Sequence, residues 1–244
     1  MTRWWFVPVL VLLMGVAAEP AFAQTLSLDL GDEPTVTGRV IQLLGLLTVI
    51  SLAPSILVMV TSFTRIVVVL SFVRMALGTQ QTPPNQVLVS LALFLTLFVM
   101  MPTFEQAYDQ GVAPLIAGEI DESTAFDRVM KPVQGFMMQH VREQDLALFM
   151  EMAKVENVES PEEVPIRALI PAFMVSELRR AFEMGFLIFV PFLVIDMVVA
   201  SILMSMGMMM LPPVIIALPF KIVFFVLVDG WYMVVGSLVR SFGG

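Results

Sequence analysis

An all-α integral membrane fold is the prediction for this chain, and three observations carry it. Of its 244 residues, 58% are hydrophobic and only 14% charged, against about 25% charged in an average soluble domain; mean hydropathy is +0.90. The apolar residues gather into four long segments, separated by breakers and by one polar, amphipathic helical insert. No stretch shows the strict apolar–polar alternation of a half-buried strand, and no internal repeat is visible.

Residues 1–23 have the pattern of a cleavable signal peptide. Arg3 makes a positive start, residues 4–18 are apolar, and Ala21-Phe22-Ala23 is a small-residue cleavage site. A cut between Ala23 and Gln24 places the mature N-terminus on the far side of the inner membrane. A retained first membrane helix is the alternative, but the run is short of the roughly 20 residues that a span needs. Residues 24–37 are polar, with Gly31-Asp32-Glu33-Pro34, and read as an extended arm.

Residues 38–102 form a first apolar helical hairpin. The run over 40–77 is broken by Pro54 and by Thr61-Ser62-Phe63-Thr64-Arg65. A continuous helix of that length, at about 1.5 Å per residue, would overshoot a bilayer core of about 30 Å. Two pieces kinked near Pro54 are expected, because proline lacks a donor and clashes with the preceding turn. Residues 78–84 are a turn, and Pro83-Pro84 opens the next helix, which runs to about Met101.

Residues 103–165 are the insert. Thirteen acidic and four basic residues lie between Thr103 and Ile166, so most of the net charge of −8 resides there. Few lysines and arginines permit a periplasmic location. Phe126, Val129, Met130, Val133, Met137 and Val141 follow steps of three and four, as one helical face does. Phe149 and Met152 extend that face after a polar break, and Pro132 is expected to kink the pair. Phe126, Phe136, Met137 and Phe149 are candidate contacts with other subunits; a core within the chain is the alternative. Residues 166–244 are a second apolar hairpin with a methionine-rich tip.

Several chemistries are excluded by what is missing. There is no cysteine, hence no disulfide, thiolate ligand or thiol nucleophile. The single histidine, His140, argues against a histidine metal site or a Ser-His triad, and it reads as an ordinary, partly exposed residue. Phosphate-loop, nucleophile-elbow and zincin motifs are absent. Basic residues are few and scattered, so no nucleic-acid footprint exists. No catalytic residue, metal or cofactor is expected.

Charges inside apolar helices are the sharpest positive signal. A charged residue at the centre of a membrane helix costs at least about 2.5–3.5 kcal/mol, and persists where it pairs or faces a cavity. Arg65, Glu177, Asp196, Lys221 and Asp229 are candidates for ion pairs between helices or subunits. Arg74, Arg179 and Arg180 stand near helix ends, where long side chains reach back to an interface. Met206, Met208, Met209 and Met210, beside Gly207 and ahead of Pro212-Pro213, are too dense for ordinary core filling. If several copies met around an axis, these flexible thioethers would make a soft ring able to seal a pore. A loop packed on a neighbour or on lipid is the alternative.

Four segments resemble the FliP family of flagellar biosynthesis proteins and the injectisome export proteins related to it. The run from Pro171 through Glu177-Leu178-Arg179-Arg180 to Phe186 is similar to one family signature. Pro219-Phe220-Lys221, an apolar run, and Asp229-Gly230-Trp231 are similar to a second. Thr61 to Ile66 and the methionine tip also fit. The resemblance implies a subunit of the type III protein export gate, without catalytic activity, at the flagellar basal body in the bacterial inner membrane, its insert facing the periplasm. It implies a homo-oligomer, a pentamer, assembled with the membrane subunits FliQ and FliR, contacting other export-apparatus proteins and passing unfolded flagellar substrates. Met208, Met209 and Met210 then become a gasket, and Glu177 and Lys221 are expected to pair. An injectisome gate subunit is one alternative. A small-solute or ion channel, lined by Asp196, Lys221 and Asp229, is another from a different class.

Overall fold

The computed structural model describes residues 36–79, 81–155, 160, 163–208 and 210–243. The signal peptide, its cleavage pair Ala23 and Gln24, nearly all of the arm, and Met209 lie outside them. Among the described residues every regular element is helical. The order is α1 (Val36–Val60), α2 (Phe63–Ala76), α3 (Asn85–Ala107), a π-helical turn (Tyr108–Val112), α4 (Ala113–Ile116), α5 (Glu122–His140), α6 (Glu143–Met152), α7 (Ile166–Ser205), α8 (Pro213–Leu227) and α9 (Gly230–Gly243).

The chain divides after Val49. In the first unit the described residues are the start of α1, which bares Val40, Ile41, Leu43, Leu44, Leu46 and Leu47. The second unit, from Ile50, holds the core. Its centre is α2 packed along α7, because the buried stripe Ile66, Val69, Leu70, Val73 recurs at steps of three and four. Leu88, Ala92 and Leu95 of α3, Phe225 of α8, and Val234 and Leu238 of α9 close around that stripe. A second cluster joins the insert to it: Val60, Met100, Phe136, Met137, Val164, Leu169 and Phe173. Fully burying a side chain such as Phe173 or Leu169 contributes about 1.5–3 kcal/mol.

Two glycines permit close approaches. A Cβ on Gly185 of α7 would stand 2.4 Å from the Phe72 ring, so α2 and α7 meet there only because position 185 is bare. Phe72 also meets Phe182 edge to face at 5.2 Å. A Cβ on Gly111, in the π-helical turn, would stand 2.9 Å from the Ala125 carbonyl oxygen and 2.5 Å from Val129.

Pro132 does not interrupt its helix. α5 runs unbroken to His140, and the chain turns at Val141-Arg142, both extended. One proline removes one backbone bond, and the neighbouring buried Phe136 and Met137 hold the turn in place. The helix beginning at Asn85 likewise passes Met101 and Pro102 and ends at Ala107. Among the described residues, two helical stretches, 85–116 and 166–205, are long and apolar enough to cross a membrane. The number rises to four if two bent pairs each count as one span, α8 and α9 being bent by 63°.

Candidate functional site: buried ion pairs and a methionine tip

The sequence places Arg65 in the first turn of α2 and Glu177 in α7, and the packing of those helices brings them together. Arg65 Nε donates to Glu177 Oε2 at 2.9 Å, and Arg65 Nη2 donates to Oε1. The two side chains are 1% and 0% exposed, so the pair is closed to solvent. The remaining guanidinium edge is not idle. Nη1 donates to the Ser241 carbonyl at 3.1 Å and to its hydroxyl oxygen at 2.9 Å. The guanidinium plane lies 3.7 Å from the centroid of the Phe242 ring. A planar fork with five donors suits this double task, as an ammonium would not.

Lys221 of α8 forms the second pair. Its Nζ donates to Asp196 Oδ2 of α7 at 2.6 Å and to the Ala76 carbonyl, at the end of α2, at 3.2 Å. Lys221 is 3% exposed and Asp196 24%. The expected Glu177–Lys221 pair is therefore replaced by two others, Glu177 with Arg65 and Lys221 with Asp196. Asp229 pairs with nothing among the described residues. It is exposed and takes a left-handed conformation, φ 51°, at the corner between α8 and α9.

The insert contacts need correction as well. Phe136 and Met137 are buried in this chain's own core, against Leu169 and Phe173, and offer no outward surface. Phe149 is half-buried, and Phe126, 63% exposed, faces outward. His140 is not partly exposed but buried, its Nδ1 2.8 Å from the Phe136 carbonyl and its ring against Phe136 and Phe242. α6 is fastened to α7 by Ser176, whose hydroxyl accepts from the Arg142 N–H at 3.0 Å and lies 2.7 Å from Asp145 Oδ2.

The methionine tip is built by a helix stop. Gly207, at φ 74°, lets the Met208 N–H reach the Leu203 carbonyl and the Gly207 N–H reach that of Met204, a Schellman ending. Pro213 then opens α8. Met206 is 61% and Met210 98% exposed, and Met208 is partly so, which leaves much of their surface bare among the described residues. Nothing in the sequence marked Ser241 and Phe242. They lie at the end of an amphipathic helix without a motif, and only the fold brings them over Arg65.

The FliP family model matches residues 46–238, a stretch that contains both ion pairs and the tip. The chain belongs to the FliP family. It is 58% identical over 223 residues to the flagellar biosynthetic protein FliP of Caulobacter vibrioides, covering 91% of this chain and 84% of that one. Identity to the Bacillus subtilis FliP is 56% over 211 residues, 86% of this chain and 96% of that one. The Rhizobium meliloti FliP is 49% identical over 239 residues, 97% of each. Membership of the FliP family, with helices able to span a bilayer, makes this a membrane protein of flagellum biosynthesis and protein transport.

Proposed function

We propose that this FliP-family chain is a subunit of the flagellar type III export gate, and that several copies, five by the resemblance, surround the path of unfolded flagellar proteins. FliQ and FliR complete the assembly in the inner membrane, the insert faces the periplasm, and the chain performs no catalysis. The observation that carries this reading is the bare methionine tip. Met206, Met208 and Met210 stand outward at the head of the α7–α8 hairpin, where the described residues leave much of their surface bare. Converging copies would bury them on one another, and unbranched thioethers deform around a passing chain more easily than branched side chains. The outward apolar faces of α3, α7 and α8 supply surface for neighbours of either kind, lipid or protein.

The channel reading finds less support. Asp196 and Lys221, its proposed lining, neutralise each other. The named relatives are flagellar, which favours the flagellar gate over the injectisome one. The experiment is single-particle imaging of the complex purified after co-expression with FliQ and FliR. Tips converging on a common axis are expected; a monomer or dimer with tips turned to lipid overturns the gate and the seal together.

A further inference from the structure

We propose that His140, Phe242 and Arg65 form a proton-sensitive latch that fastens the insert to the membrane helices and loosens on acidification. Phe242, in the last turn of α9, is the shared element. The Arg65 guanidinium lies on its ring at 3.7 Å, and on the insert side it meets His140 at 5.2 Å and Phe136 at 6.1 Å between centroids. Ser241, one residue before, is held by Arg65 Nη1. α9 thus closes over the Arg65–Glu177 pair and, through one aromatic ring, grips the end of α5.

His140 sits where a second positive charge is unwelcome. The charge of Arg65 reaches it from α2 and that of Arg180 from α7, while Glu177 is paired with Arg65; α9 brings no charge to the contact, since Arg240 is exposed and bonds the Gly236 carbonyl. Past α5, Arg142 lies 3.7 Å from Asp145. Burial, first, and the positive charges of Arg65 and Arg180 hold the imidazole pKa below its ordinary value, against the opposing pull of the Phe136 and Phe242 carbonyls. The closed latch therefore binds fewer protons than the open one. Its closure is complete above about pH 6.5, the pKa of a free histidine, and weakens as pH falls below it. One linked proton changes the ratio of open to closed by up to about tenfold per pH unit.

The test is hydrogen exchange of the full-length chain in lipid nanodiscs, read at the ends of α5 and α9 and corrected for intrinsic exchange rates. Between pH 7.5 and 5.5 the opening of both ends is expected to rise together, by about five- to tenfold. His140→Gln should remove the pH dependence, and Phe242→Ala should leave both ends open at either pH. An equal rise in His140→Gln, or none in the parent, overturns the latch. Should the variants not fold, the parent still decides. The imidazole signal belongs to one residue, and an NMR titration midpoint at or above 6.5 overturns the proposal.

Discussion

Arg65 is the residue whose loss should be felt furthest. Its guanidinium neutralises Glu177, holds Ser241 and supports Phe242, and Glu177, at 0% exposure, has no water as a substitute. Arg65→Met leaves a carboxylate buried alone and is expected to cost about 3–5 kcal/mol in denaturant unfolding of the detergent-solubilised protein. The double variant Arg65→Met with Glu177→Leu should recover much of that loss, because two apolar side chains replace two charges. Lys221→Ala, with Asp196 kept, is expected to cost less, about 1–3 kcal/mol. Asp196 is partly exposed and can recruit water, whereas Glu177 cannot. Equal losses at the two sites would contradict that ordering. The candidates were legible as charges in apolar surroundings; their partners were not. Which cation faces Glu177 depends on how α2 and α8 are rotated against α7, and the spacing of residues along one chain does not contain that angle.

Between elements, the contact of α2 with α7 rests on a missing side chain. Gly185→Leu would drive a branched group into Phe72 and should destabilise by about 1–3 kcal/mol in thermal unfolding; Phe72→Ala in the same chain should restore part of it. At the start of α5, Asp121 accepts hydrogen bonds from the Ser123 and Thr124 hydroxyls, which hold its pKa down to about 2. Its contribution to the first turn is therefore complete above about pH 3.9 and lost as pH falls toward 2. Amide exchange in that turn should rise across this interval in the parent and stay level in Asp121→Asn. The helices themselves were readable from periodicity and turn residues. Their ends were less so. Pro132 lies inside an unbroken helix, while the turn at Val141-Arg142 was legible only as a polar break, with neither proline nor glycine to fix its position. Helix interiors follow local preference; helix ends follow whatever neighbour satisfies the last carbonyls.

Across the whole molecule the proposed seal at the methionine tip can be tested apart from folding. Met206 and Met210 are largely bare among the described residues, so replacing both with serine should shift the chain's unfolding by no more than about 0.5 kcal/mol per site. In cells making the complete gate, the same replacement is expected to raise ion leakage; an unchanged leak would separate these side chains from the seal. The length of α7 carries a different consequence. Forty residues of helix reach about 60 Å, twice a hydrocarbon core of about 30 Å. Even at a tilt of about 40°, the extreme among membrane helices, α7 stands about 46 Å tall. Roughly a third of it must therefore project from the lipid, although Val175, Leu178, Phe182 and Phe186 are bare along its flank. Neither water nor acyl chains suit such a helix from end to end. Under the proposed assembly, a newly made copy is expected to be open to quality-control proteolysis until companions cover its projecting part. Its half-life in a pulse-chase should lengthen when those companions are made alongside it.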